Sequence, residues 1–304
     1  MKALFKIISK FNPIKPDNSN YIYRPNVIPL SFTAGMAALE QSGWKVVPTA
    51  IDNTSPTKVR NILRLAHEAG MKLCEYDINQ DDYKTYVDHA EYKTRYPDYY
   101  RGNQVEKYLE HYLTLTLLNV SAEDIFIDIA SEQSPIPEIY HRLTGATTYS
   151  QDIMYPPGIK GNQIGSDACS MPVPDNFASK AALTCSLEHF EADADTRLFD
   201  ELSRVLKPGG KVCVVPFYLY EQAATQTDPT VSAAAGVVFD PDTTLYCAQG
   251  WGNRHGRFYS PDSFYQRIIQ PVQDKFKFDV YYLKNAADID SSVYARFALT
   301  ATRL

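Results

Sequence analysis

The chain has 304 residues and a formal net charge of −6, and no Lys/Arg-rich block interrupts it, which argues against broad nucleic-acid binding. No apolar run is long enough to span a bilayer, and Lys2, Lys6 and Lys10 break up Met1–Phe11, so neither a membrane span nor a signal peptide is expected. Cys74, Cys169, Cys185, Cys213 and Cys247 are odd in number and lack CxxC spacing, the pattern of reduced thiols in a cytoplasmic protein and not of disulfides or a metal site.

In chain order, Ser55-Pro56 opens a predicted helix through Leu63, Leu65 and Ala69 that stops at Gly70, and Met71–Ile78 reads as a short strand. Asp81–Leu118 is polar, tyrosine-rich and broadly helical, with breaks near Tyr96-Pro97 and Arg101-Gly102. Its tyrosines either line a substrate pocket or anchor the segment to the rest of the protein. Asp124–Ala130 reads as a buried strand, followed by a helix from Ser134-Pro135 to Leu143. A second strand covers Thr147–Gln151 and ends at Asp152, and a third lies around Gln163–Gly165.

From Asp193 to Leu206, the residues Leu198, Phe199, Leu202, Val205 and Leu206 recur at helical spacing while Asp195, Arg197, Asp200, Glu201 and Arg204 take the other face. Pro208-Gly209-Gly210 stops this helix, since proline cannot continue it and glycine accepts the positive φ of a tight exit. Lys211–Phe217 is nearly all apolar, as expected for a strand covered on both faces. The stretch 218–260 is loop-rich and too long for a plain connector. Its end gathers Trp251, Arg254, His255, Arg257 and Tyr259 before a helix at Ser260-Pro261, a cluster that either grips an anionic or hydroxylated substrate group or staples the insertion down. Phe278–Leu283 and Val293–Thr300 alternate like a closing pair of strands.

Asp167-Ala168, Met171-Pro172, Pro174-Asp175, Leu187-Glu188-His189 and Arg204-Val205-Leu206-Lys207-Pro208-Gly209-Gly210, in that order, resemble the second half of a class I S-adenosylmethionine-dependent methyltransferase domain. The resemblance implies an α/β Rossmann-like fold with a mostly parallel seven-stranded sheet and helices on both faces. Residues 1–119 are then a mainly helical N-terminal extension, and 120–304 the methyltransferase domain with its insertion at about 218–260. It also implies S-adenosylmethionine as cofactor, held by Asp128, Ala130, Glu132 and Ser134 in the first loop, by Asp152, and by Asp167, Ala168 and Cys185. Asp167 would meet the adenine amino group and the Ala168 N–H the ring. Asp152, 24 residues beyond Asp128, either binds the ribose hydroxyls or caps the turn before Tyr155-Pro156-Pro157-Gly158. The first loop departs from the family pattern because Ala, Glu and Ser stand where glycines are expected.

A sulfonium methyl is already activated, so the protein mainly aligns the acceptor and excludes water. A base is needed when the acceptor is a hydroxyl, and His255 and His189 are the candidates, with His189 alternatively holding the loop beside the cofactor. The sequence therefore reads as a methyltransferase acting on an oxygen of a small polar metabolite or sugar, without a metal or a nucleic-acid or membrane partner. N-methylation and a catalytically inactive binding or scaffold protein are the alternatives. A nicotinamide enzyme is opposed by the missing GxGxxG after the first strand.

Overall fold

Apolar residues in consecutive positions of the central strands face two different cores, as expected of a sheet covered on both sides. Phe126, Ala182, Cys213 and Val215 pack with the helices Gln104–Leu118 and Ile136–Thr144. Ile127, Leu183, Val212 and Val214 pack on the opposite face with the helix Ala194–Val205. The computed structural model describes residues 28–304, so the lysine-interrupted Met1–Phe11 lies outside the described residues. Among those described, no helix is long and apolar enough to cross a membrane, and all five cysteines are free.

The strands in chain order are β1 (Val46–Val47), β2 (Leu73–Tyr76), β3 (Ile125–Ile129), β4 (Thr147–Asp152), β5 (Gly158–Lys160), β6 (Gln163–Gly165), β7 (Ala178–Thr184) and β8 (Leu206–Val215), then β9 (Ala224–Thr227), β10 (Thr244–Cys247), β11 (Gly256–Phe258), β12 (Phe276–Leu283) and β13 (Phe297–Arg303). The large sheet has the order β2-β12-β13-β8-β7-β3-β4-β6-β5. Its β8-β7-β3-β4-β6 part is parallel, and β13 lies antiparallel between β8 and β12. This is the expected architecture with the closing antiparallel pair. Two edge strands raise the expected seven to nine: β5 folds back on β6, and β2 joins β12 in parallel. The first 119 residues are thus more than a helical extension, because their short strands β1 and β2 complete sheets whose other members lie far along the chain.

The loop-rich stretch 218–260 also carries short strands. Its β9, β10 and β11, with β1, make a four-stranded sheet of order β1-β10-β9-β11, with Leu39, Phe239, Leu245 and Cys247 forming its own small core. These strands are only three or four residues long apart from the shorter β1, so no sustained alternation announces them in the sequence. On the Ala194–Val205 helix, Leu198, Phe199, Leu202 and Val205 are buried as their spacing predicts, each contributing about 1.5–3 kcal/mol by leaving water. Asp195, expected on the polar face, is fully buried as well.

A cavity above the sheet

The loops leaving the carboxyl ends of β3, β4, β6 and β7 meet at one edge of the parallel sheet, where this topology binds its ligands. The loop after β3 keeps a glycine-like backbone without glycines: Ala130 and Glu132 stand at φ of 52° and 47°. A lattice of hydrogen bonds imposes this. The Glu132 N–H donates to Asp152 Oδ2 at 2.8 Å and the Ser131 N–H to the Gln151 carbonyl at 2.9 Å. The Ala130 N–H donates to Gln151 Oε1 at 3.2 Å, and the Tyr155 hydroxyl to the Glu132 carbonyl at 2.5 Å. Glu132 thus adopts positive φ without being glycine, its neighbours holding it there against a cost of about 1–2 kcal/mol for a residue with a Cβ. Glu132→Gly should remove that cost while giving the unfolded chain more freedom. The expected net is a stabilisation of up to about 1 kcal/mol in urea denaturation, and a destabilised variant would contradict the left-handed loop.

A cavity of about 1330 Å³ opens over this loop. Ala130, Glu132, Ser134, Asp152, Asp167 and Ala168 line it, as does Cys185 at the end of β7. Asp128 does not: its side chain is fully buried beneath the loop, neither oxygen forms a regular hydrogen bond, and burial pushes its pKa up to about 7, eased by the nearby Ser134 hydroxyl. A direct contact from Asp128 to a ligand in the cavity is thereby corrected. Asp152 performs the alternative role foreseen for it, accepting the Met154 N–H at 2.8 Å as well as that of Glu132, yet it still faces the cavity.

The insertion supplies the opposite wall with Trp251, Arg254 and His255. Arg254 pairs with Glu191, Nε to Oε1 at 2.6 Å and Nη2 to Oε2 at 2.9 Å. The two histidines lock each other through the backbone. His189 Nδ1 faces the His255 carbonyl at 2.5 Å and His255 Nδ1 faces the Glu188 carbonyl at 2.9 Å, so each carries a proton on Nδ1. Nε2 of His255 has no partner among the described residues. Burial, then Arg257 and His189, hold its pKa well below the ordinary value. Proton uptake by His255 near neutral pH, as expected from its residue type, is thus corrected: the ring stays neutral and offers a lone pair.

Arg257 and Tyr259 lie buried behind the cavity wall. Arg257 is 2% exposed, does not line the cavity, and binds Asp240 (Nε to Oδ2, 2.7 Å), Asp195 (3.3 Å) and the Phe190 and Ala192 carbonyls. The Tyr259 hydroxyl donates to Asp195 Oδ2 at 2.8 Å. The stapling reading holds for these two.

The pocket-lining alternative for the tyrosine-rich segment fits Tyr99 and Tyr100, whereas Asn103 and Lys107 carry no such expectation. Tyr99, Tyr100, Asn103 and Lys107, joined by Tyr218 and Tyr294, line the cavity around Cys185. Most of the other tyrosines flagged in 81–118, including Tyr83, Tyr86, Tyr92 and Tyr112, anchor the segment by packing with the Gln104–Leu118 helix. On Gln104–Leu118 the residues Glu106, Lys107, Glu110 and His111 are all buried among apolar neighbours, which obscures any hydrophobic face.

Residues 102–214 match the family model described as a methyltransferase domain. No protein of curated function matches the sequence. Similar solved structures include a 1,6-didemethyltoxoflavin-N1-methyltransferase of Burkholderia thailandensis with S-adenosylhomocysteine bound, 12% identical over 84% of this chain and 94% of that one, with a TM-score of 0.45. A geranyl diphosphate C-methyltransferase of Streptomyces coelicolor is 10% identical over 79% and 91%, with a TM-score of 0.40. Human N-acetylserotonin methyltransferase in complex with S-adenosylmethionine is 14% identical over 80% and 67%, with a TM-score of 0.39.

Proposed function

We propose that this chain, which carries a class I methyltransferase domain, uses S-adenosylmethionine to methylate an oxygen of a small polar metabolite. The observation that carries the reading is the left-handed Ala130–Glu132 loop, which reproduces a cofactor-binding turn without its glycines beside a cavity rimmed by Asp152 and Asp167. The residues fit the cofactor: carboxylates at these rims suit ribose hydroxyls and the adenine amino group, and Cys185 at the end of β7 leads toward the insertion wall. When bound, the cofactor would supply a sulfonium methyl that needs alignment more than activation. The protein's part is then to orient the acceptor's O–H on lone pairs such as His255 Nε2 and to keep water out.

Calorimetric titration with S-adenosylmethionine and S-adenosylhomocysteine tests the reading. Binding of both is expected, and no heat with either would leave a scaffold protein. His255→Ala should keep S-adenosylhomocysteine affinity and lower turnover about tenfold, the worth of one orienting hydrogen bond. Because the imidazole stays neutral, its loss should not move the acidic limb of the pH–rate profile. A shifted limb would restore His255 as a titrating base.

A further inference from the structure

We propose that Glu188 and His255 together select the methyl acceptor, a hydroxylated amine whose ammonium is gripped by the Glu188 carboxylate while its hydroxyl meets His255 Nε2. The inference rests on the methyltransferase reading and narrows its acceptor class. Both residues line the cavity, Glu188 at 5% and His255 at 1% exposure, and Glu188 Oε2 and His255 Nε2 have no partner among the described residues. They share one wall, because His255 Nδ1 donates to the Glu188 carbonyl at 2.9 Å. The Ser186 hydroxyl, two residues upstream in the same lining, lacks a partner as well. A carboxylate can only accept, and so can the bare nitrogen of a neutral imidazole, so a ligand seated against these two must present donors. Dry and unpaired, a carboxylate destabilises a fold, and its place here is explained by a ligand that supplies the missing donor.

The other charged groups of the lining leave this carboxylate unanswered. Each cation there already faces a carboxylate: Lys107 meets both oxygens of Glu110 at 2.9 and 3.1 Å, Arg197 meets Asp193 at 3.1 Å, and Arg254 meets Glu191 at 2.6 Å. His189 Nε2 stands 3.7 Å from Glu188 Oε1, beyond hydrogen-bond reach, and leaves Oε2 open. The other acids of the lining, Glu132, Asp152 and Asp167, belong to the loops after β3, β4 and β6. Burial above all, and then the Glu188 charge, holds the Cys185 thiol above its ordinary range, and burial does the same for the Tyr218 and Tyr294 hydroxyls. None of these three adds a charge, so the wall is short of one positive charge. Tyr218, Tyr294, Trp251 and Phe258 line the same cavity, and aromatic faces favour an organic cation over an anion.

The same contact decides which atom is methylated. An ammonium beside a carboxylate keeps its proton and has no lone pair to give, so the nitrogen is the handle and the hydroxyl oxygen the nucleophile. That oxygen forms the O–CH3 bond, its proton passes to solvent, and the electron pair of the breaking S–CH3 bond remains on sulfur.

Three matched probes test this, each carrying the same phenol and differing in the far group: tyramine with an ammonium, tyrosol with a hydroxyl, and para-hydroxyphenylacetate with a carboxylate. Titrated calorimetrically into the full-length protein with and without S-adenosylhomocysteine, tyramine should bind about ten- to a hundredfold more tightly than tyrosol, the worth of one hydrogen bond to a charged group, and para-hydroxyphenylacetate most weakly. Glu188→Gln, which keeps the shape and removes the charge, should erase the preference for tyramine, and retained S-adenosylhomocysteine heat shows that this variant is folded. Should that heat be lost in the variant alone, the order of the probes in the unaltered protein decides. Equal binding of tyramine and tyrosol, the result expected if His189 already neutralises Glu188, overturns the proposal. So do no binding of any probe, a preference for tyramine that survives Glu188→Gln, and methyl transfer to the tyramine nitrogen. The methyltransferase reading fails separately, through absent S-adenosylhomocysteine heat in the unaltered protein, because the probe order is also read without cofactor.

Discussion

Arg257→Ala should destabilise the protein by about 3–5 kcal/mol, the cost of breaking a buried ion pair from one side. The guanidinium joins three parts of the chain: its own strand β11, Asp240 of the insertion, and Asp195 of the Ala194–Val205 helix, which is fully buried. Arg267 closes the network by pairing with Asp195 at 2.6 Å and Asp240 at 3.3 Å, so two cations face two carboxylates. Removing one cation leaves a carboxylate in excess beside the fully buried Asp195, and the Phe190 and Ala192 carbonyls each lose a donor. Lysine cannot replace the arginine, because one ammonium cannot reach both carboxylates and both carbonyls with the same fork of donors. Urea denaturation reads the loss directly. A variant of normal stability whose only defect is a raised acceptor KM would return Arg257 to the substrate site.

This network also marks where sequence reading stops. The parallel strands were legible because burial on both faces forces continuous apolar runs such as Lys211–Phe217, and the Ala194–Val205 helix because its core face keeps a strict period. Asp195 was placed on the solvent face by the same period. Periodicity reports which side of a helix a residue occupies, not that Arg257, 62 positions away, arrives there to neutralise it. The Ala130–Glu132 turn is hidden for a related reason: residue identity predicts intrinsic φ preference, whereas hydrogen bonds donated to Gln151 and Asp152 and received from Tyr155 override it. Lys107 escaped notice because nothing local distinguishes a lysine facing a cavity from one facing solvent.

Asp152→Ala is expected to cost the most in cofactor binding. The carboxylate accepts the Glu132 N–H at 2.8 Å and the Met154 N–H at 2.8 Å, so one side chain fixes both the left-handed turn and the backbone leaving β4. Hydrogen bonds to a charged acceptor are worth about 1.5–3 kcal/mol each. Losing both should free the loop toward ordinary φ and weaken S-adenosylhomocysteine by at least about a hundredfold, whether or not the ribose is also touched. Asp152→Asn separates the two roles. Its amide oxygen can keep the Glu132 N–H but brings no charge to a ribose, so a loss close to that of alanine would assign the carboxylate chiefly to the ligand. Near-native affinity would assign it to the loop. Unchanged calorimetric affinity in the alanine variant would sink both roles, because no other acceptor among the described residues receives the Glu132 N–H.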